Sequence, residues 1–170
     1  HDHVGGGFHR YATDDAWRVP HFEKMLYNQA QLAVAYARAH EITGDPAFRD
    51  TVEDIFRYVE HRMLAGDGQF YSALDAETDA VEGAYYVWTI EEVQEVLDEG
   101  QYELFGEAFS LAPVPRYPGH KHPDGRVLFM PQTPGALAEE TGVPYPDLRA
   151  RLDELLRALE QRRRGRELPR

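Results

Sequence analysis

Gly44-Asp45-Pro46 joins two segments of helical periodicity with almost no connecting chain, and that junction restricts the architecture more than any other feature of the sequence. Glycine takes the left-handed conformation that closes a helix, aspartate caps the next one, and proline at N1 lacks an N–H that no helix would use there. Segments so joined form a helix pair. The upstream segment, about residues 21–42 and opened by Pro20, carries Phe22, Met25, Leu26, Leu32, Ala33, Tyr36 and Ala37 around most of its circumference. That distribution predicts an interior helix packed on several sides. Downstream, over about 46–64, Phe48, Val52, Ile55, Val59 and Met63 recur on one face, which predicts an amphipathic surface helix.

The remaining punctuation supports a mainly helical chain with short β-hairpins in its loops. Gly5 to Gly7 place residues 1–19 in a loop with a short strand at 8–11. Gly66 and Gly68 end the second helix. Residues 69–72 and 84–88 have strand-like composition and flank an acidic loop over 75–82, so the pattern predicts a hairpin. Thr89-Ile90-Glu91-Glu92 is a capping box opening a helix to about residue 97, and a further helix is expected over 101–109. Five prolines make 110–132 an extended loop with one strand at 127–130. A short helix is predicted over 134–141, and a long one from Pro146 through Leu148, Leu152, Leu155 and Leu159. Gly7-Phe8-His9-Arg10 leading to Asp14 is echoed by Gln69-Phe70-Tyr71-Ser72 leading to Asp75, the kind of spacing from which helical toroids are built.

Composition narrows the function classes. The 170 residues suit one domain, and 42% hydrophobic content is enough for a core. Without cysteine the chain has no disulfide, no thiolate metal site and no thiol redox chemistry of its own. No apolar run reaches the ~18 residues of a membrane span, so no membrane partner is expected and a cytoplasmic location is. Net charge is −12, and residues 147–170 contribute 8 Arg against 5 acids, which leaves the body strongly acidic. Such a body repels phosphate backbones, so nucleic acid is not an expected partner. The basic end at 162–170 reads as a solvated helix end leading into a C-terminal part beyond this piece. The abrupt start at His1 and stop at Arg170 read as a piece of a longer protein.

Gly5-Gly6-Gly7-Phe8-His9-Arg10-Tyr11, Asp14, Trp17 and Val19-Pro20-His21-Phe22-Glu23-Lys24-Met25-Leu26-Tyr27, followed by Gln29-Ala30, form a long and unusual string. With Thr43-Gly44-Asp45, Phe70-Tyr71-Ser72-Ala73, Asp75-Ala76, Glu82-Gly83 and Tyr86-Val87-Trp88-Thr89, it resembles the bacterial thioredoxin-domain-containing proteins related to spermatogenesis-associated protein 20. The likeness is strong over 2–98 and loose over 133–165. Glu77-Thr78 departs from the family's Asp-Ser, and 113–125 has little match. The resemblance implies a partial (α/α)6 toroid, similar to six-hairpin glycosidases and sugar 2-epimerases, without the N-terminal thioredoxin-like domain. It also implies a role in carbohydrate metabolism.

The residues themselves offer two constellations. His9, Arg10, Asp14, Trp17 and His21 bring proton-moving groups, an oxygen-binding guanidinium and an aromatic platform to a glycine-rich loop, which suits a sugar or glycan ligand. Glu23 and Lys24 belong to the same constellation, and for these two the favoured reading is an acid and a base at ordinary polar positions in a helix's first turn. Asp75, Glu82, Tyr86 and Trp88 form the second group, with the carboxylates as acid and base or as acceptors that fix their loops, and the rings as stacking surfaces. His9 and His21 suit proton exchange beside a sugar carbonyl; Asp14 with Asp75 or Glu82 suits hydrolysis. The pairs His1/His3 and His120/His122 lack a third ligand, so neither a metal nor a cofactor is expected. A non-catalytic binding or scaffold module is the rival reading. An incomplete toroid would expose apolar helix faces, be inactive alone and self-associate.

Overall fold

The computed structural model describes residues 1–116, 118 and 121–169. Among them helix predominates, at about 48%, with six α-helices and short strand pairs. The chain forms two compact units, one over residues 1–77 and one over 78–168.

In the first unit β1 (Tyr11–Ala12) pairs antiparallel with β2 (Pro20–His21), Tyr11 opposite His21. Next, β3 (Lys24–Met25) pairs antiparallel with β4 (Ala73–Leu74), Lys24 opposite Leu74. Residues 20–25 are therefore extended, not helical as expected. Phe22 and Lys24 bury while Glu23 between them stays half-exposed, a period of two that the flanking helical pattern masks. Pro20 sits in a two-residue strand, where its missing N–H is tolerated.

The helix pair forms as the junction dictates. α1 (Leu26–Thr43) ends at Gly44 with φ 71°, and Asp45 accepts from the Ala47 amide to cap α2 (Pro46–Tyr58). Only Gln29 and Ala33 of α1 are buried, and Val34 (65%) and Ile42 (84%) are largely exposed, so within this chain α1 is not an interior helix. A π-helical turn, Val59–Met63, finishes α2 and drives Met63 into the core. The glycine loop packs directly on this pair. A Cβ on Gly7, whose φ is 72°, would lie 2.5 Å from the Tyr58 ring, so no other residue fits there.

Residues 69–72 do not pair with 84–88. Phe70 bridges to Leu64, while 84–88 belongs to the second unit, where Trp88 bridges to Arg126. Between them β5 (Glu77–Thr78) and β6 (Val81–Glu82) pair across Asp79 and Ala80, both at positive φ, as a primed hairpin turn requires.

α3 (Ile90–Val96) opens on the expected Thr89/Glu92 capping box, and α4 (Glu99–Ala108) on a second one, Asp98/Gln101. The proline-rich stretch holds more order than expected: β7 (Ser110–Pro113) pairs antiparallel with β8 (Arg126–Phe129). α5 (Pro134–Thr141) matches its predicted bounds. α6 (Tyr145–Arg163) is the spine of this unit, burying Leu148, Leu152, Leu155 and Leu159 and packing with α3, α4 and α5. The basic end is not simply solvated. Arg163 is buried over Tyr85 and Tyr86, and Arg166 lies 4.3 Å from the centre of the Trp88 ring. The Arg166 guanidinium donates to the carbonyls of Tyr85 and Val87 at 2.8 and 2.7 Å and to Glu92 at 3.1 Å. No helix among the described residues is long and apolar enough to cross a membrane.

Candidate functional site

Extended backbone over 20–25 places His21 and Glu23, two residues apart, on one face. The Arg10 amide donates to the Glu23 carbonyl at 2.8 Å and brings the β1 segment alongside. Glu23 Oε2 then accepts from Arg10 Nη1 at 2.8 Å and stands 3.6 Å from His21 Nε2. The Tyr11 ring stacks on His21 with centroids 5.0 Å apart. Hydrogen bonds to Glu23 and then Tyr27 hold the Arg10 pKa above its ordinary value. Arg10 and Glu23 remain 44% and 24% exposed, and Tyr11 and Tyr27 are exposed beside them. Carboxylate, imidazole and guanidinium thus share one open edge with aromatic rings.

Trp17 lies in the turn of the β1–β2 hairpin, 83% exposed and at φ 56°. That conformation costs a bulky L-residue roughly 1–2 kcal/mol. Asp14 sustains the turn, because its Oδ1 accepts from the amides of Arg18 at 3.0 Å and Val19 at 2.7 Å. Those bonds, Val19 first, hold the Asp14 carboxyl below its ordinary pKa. Its contacts are those of a loop pin.

The other first-unit candidates turn inward. His9 Nδ1 lies 2.9 Å from the Phe22 carbonyl, which can only accept, so the ring carries its proton on Nδ1. Desolvation, with repulsion from Lys24, pushes the His9 pKa well below the ordinary value and keeps the ring neutral. Gln29 accepts from the Phe8 amide and donates to the Phe8 carbonyl, at 2.8 and 2.6 Å, and Asn28 donates to the His9 carbonyl. Lys24 donates to Asp2 at 2.8 Å and to the Gly6 carbonyl at 2.7 Å, with its ammonium 4.4 Å from the centre of the Tyr58 ring. Asp75 Oδ1 accepts from the amides of Ala76 and Glu77. In the β3–β4 register Asp75 stands one step past Leu74, as Glu23 stands one step before Lys24, so the two carboxylates are the next opposed positions.

The second unit holds the rest. Glu82 is exposed. Tyr86 and Trp88, expected as stacking surfaces, are buried, with Arg163 over one and Arg166 over the other. A ring closed off on the protein side has no free face for a sugar. Among the described residues no three His, Asp or Glu side chains are grouped to hold a metal; His120, one half of a sequence pair, lies outside them.

Glu23 is the residue whose placement sequence reasoning misjudged. Read on a helix, it is a dipole-compensating acid; on a strand, it is the i+2 neighbour of His21 and shares its face. The signal was present in the alternation of Phe22 and Lys24 with His21 and Glu23.

Mouse spermatogenesis-associated protein 20 is 40% identical over 185 aligned residues, which take in 97% of this chain. The chain is homologous to it. The human protein of the same name is 54% identical over 104 residues, or 58% of this chain, and an uncharacterized protein of Caenorhabditis elegans is 38% identical over 117 residues, or 62%. The chain spans only 23% of the mouse protein, 13% of the human one and 16% of the worm one. No protein-family model matches the chain.

Proposed function

We propose that the first unit carries the acid–base and stacking edge of a sugar site that a longer, carbohydrate-active protein completes. The observation that supports this reading best is the exposed Arg10–Glu23–His21 cluster beside Tyr11 and Tyr27. An imidazole at this edge can take a proton from the carbon beside a sugar carbonyl and deliver it to the former carbonyl carbon of the enediol, which is isomerase chemistry. Epimerase chemistry needs in addition a second acid on the opposite face. Glu23 orients His21 and balances the imidazolium formed in that step, and Arg10 fixes Glu23. His9 turns inward on the Phe22 carbonyl and is not part of this edge, so a complementary acid for epimerisation would come from another part of the longer protein. A hydrolytic version would use Glu23 with Asp75, the opposed position in the strand register, as acid and base. Trp17 and the tyrosines supply stacking faces. The chain as a whole is then part of an (α/α)6 toroid of the six-hairpin glycosidase type, in a cytoplasmic protein that also has a thioredoxin-like domain, and is inactive by itself.

The test incubates the full-length protein with reducing hexoses in deuterated water and follows exchange beside the carbonyl by NMR. Exchange with at least one sugar is expected, lost in His21→Ala and Glu23→Gln at unchanged melting temperature. Neither exchange, hydrolysis nor binding with any sugar would overturn the reading. A second reading, a non-catalytic scaffold, is favoured by the way His9, Asp14, Lys24, Gln29 and Asp75 all bond to backbone of their own unit. It predicts that His9→Ala and His21→Ala lower the melting temperature and leave ligand binding unchanged.

A further inference from the structure

We propose that Glu23 is a specificity-determining residue: by occupying Arg10, it sets the edge for uncharged sugars and against phosphorylated or carboxylated ones. The proposal rests on the sugar-site reading above and names the ligand class of that same site. Arg10 is the guanidinium this edge presents, and an anionic sugar would use such a group in a bidentate bond. Here its charge is already compensated, with Nη1 donating to Glu23 Oε2 at 2.8 Å. The same oxygen stands 3.6 Å from His21 Nε2, so one carboxylate faces both the guanidinium and the imidazole at the edge.

An anionic ligand bonding to Arg10 would either displace Glu23 or sit within a few ångströms of its carboxylate, and like charges so close repel. Lys24 cannot take over, because it is buried on Asp2 and the Gly6 carbonyl. The adjoining turn contributes Asp14 and Asp15 against Arg18, and residues 1–77 hold 13 acidic and 7 basic residues. The surrounding field therefore adds to the exclusion. A neutral sugar meets none of this. Its hydroxyls can donate to the outer lone pairs of Glu23 and accept from the remaining Arg10 N–H groups without breaking the pair, while its ring faces stack on the exposed aromatics.

The test measures binding of glucose, galactose and mannose, each with its 6-phosphate, to the full-length protein by ligand-observed NMR and calorimetry. The wild-type protein is expected to bind a neutral hexose more tightly than its phosphate. Glu23→Gln frees the guanidinium, and the ratio of the two affinities should move toward the phosphate by about tenfold or more. Arg10→Gln leaves Glu23 uncompensated, so it should move the ratio the other way; this second variant keeps the proposal testable if the first is unstable. Equal or tighter phosphate binding by the wild-type protein, or an unchanged ratio in both variants, would overturn the proposal while leaving a sugar site standing. Binding of no hexose in either form would overturn the sugar-site reading, and this inference with it.

Discussion

Lys24 and Asp2 form a charge pair that water does not reach, with side chains 1% and 6% exposed. Both ends are further satisfied, Lys24 by the Gly6 carbonyl and Asp2 by the amides of Val4 and Gly5. Removing one partner strands the other charge in a low-dielectric setting, so Lys24→Met should destabilise the chain by about 3–5 kcal/mol. The double variant with Asp2→Asn should recover part of that loss; urea unfolding of the three proteins measures both. Asp14 tests the hairpin turn through pH. Its carboxyl is held below the ordinary aspartate value in the folded chain, so its contribution is present above about pH 4. That contribution disappears as pH falls through the folded value. Melting temperature followed from pH 5 downward should therefore fall more steeply for the wild type than for Asp14→Asn. Neither role is legible from residue type alone: a lysine beside a glutamate in a helix's first turn and an aspartate in a loop are ordinary surface residues until the backbone turns them inward.

Elements show where local and non-local information part. The α1–α2 junction, the Thr89 and Asp45 caps and the bounds of α5 were legible because each depends on residues within four positions of one another. Residues 20–25 were not, because their conformation is decided by strands at 11–12 and 73–74. That single misreading moved Glu23 onto the wrong face and hid its relation to His21. The end of α6 gives the same lesson. A cluster of arginines reads as solvated, yet Arg166 closes on the 85–92 segment through two carbonyls and Glu92. An ammonium cannot bridge that set, so Arg166→Lys should cost about 2 kcal/mol. Arg164→Lys, whose partner is Glu160 one turn away on the surface, should change stability by less than about 0.5 kcal/mol. Guanidinium chloride midpoints of the two variants make the comparison.

The first unit exposes several large apolar side chains. Val34 and Ile42 on α1 and Phe56 on α2 are exposed, with Leu64, Phe70 and Tyr71 close by in sequence. A chain with such faces should self-associate at micromolar concentrations, read as a rising mean mass in light scattering and suppressed by Val34→Glu with Ile42→Glu. A monodisperse monomer at all concentrations would refute this. The chain matches the mouse relative over 97% of its own length and less than a quarter of the relative's.

By itself the sequence determined the helical class, the α1–α2 pair, the caps and the leucine face of α6, because periodicity and capping are properties of neighbours along the chain. It also placed the candidate chemistry in the string that begins at Gly5. Only the tertiary structure decided that 20–25 is extended, that Arg10, His21 and Glu23 share an edge, and that Trp88 and Arg166 are interior. Those facts depend on hydrogen bonds between residues far apart in sequence, and no local pattern encodes which distant partner a strand or a guanidinium will find.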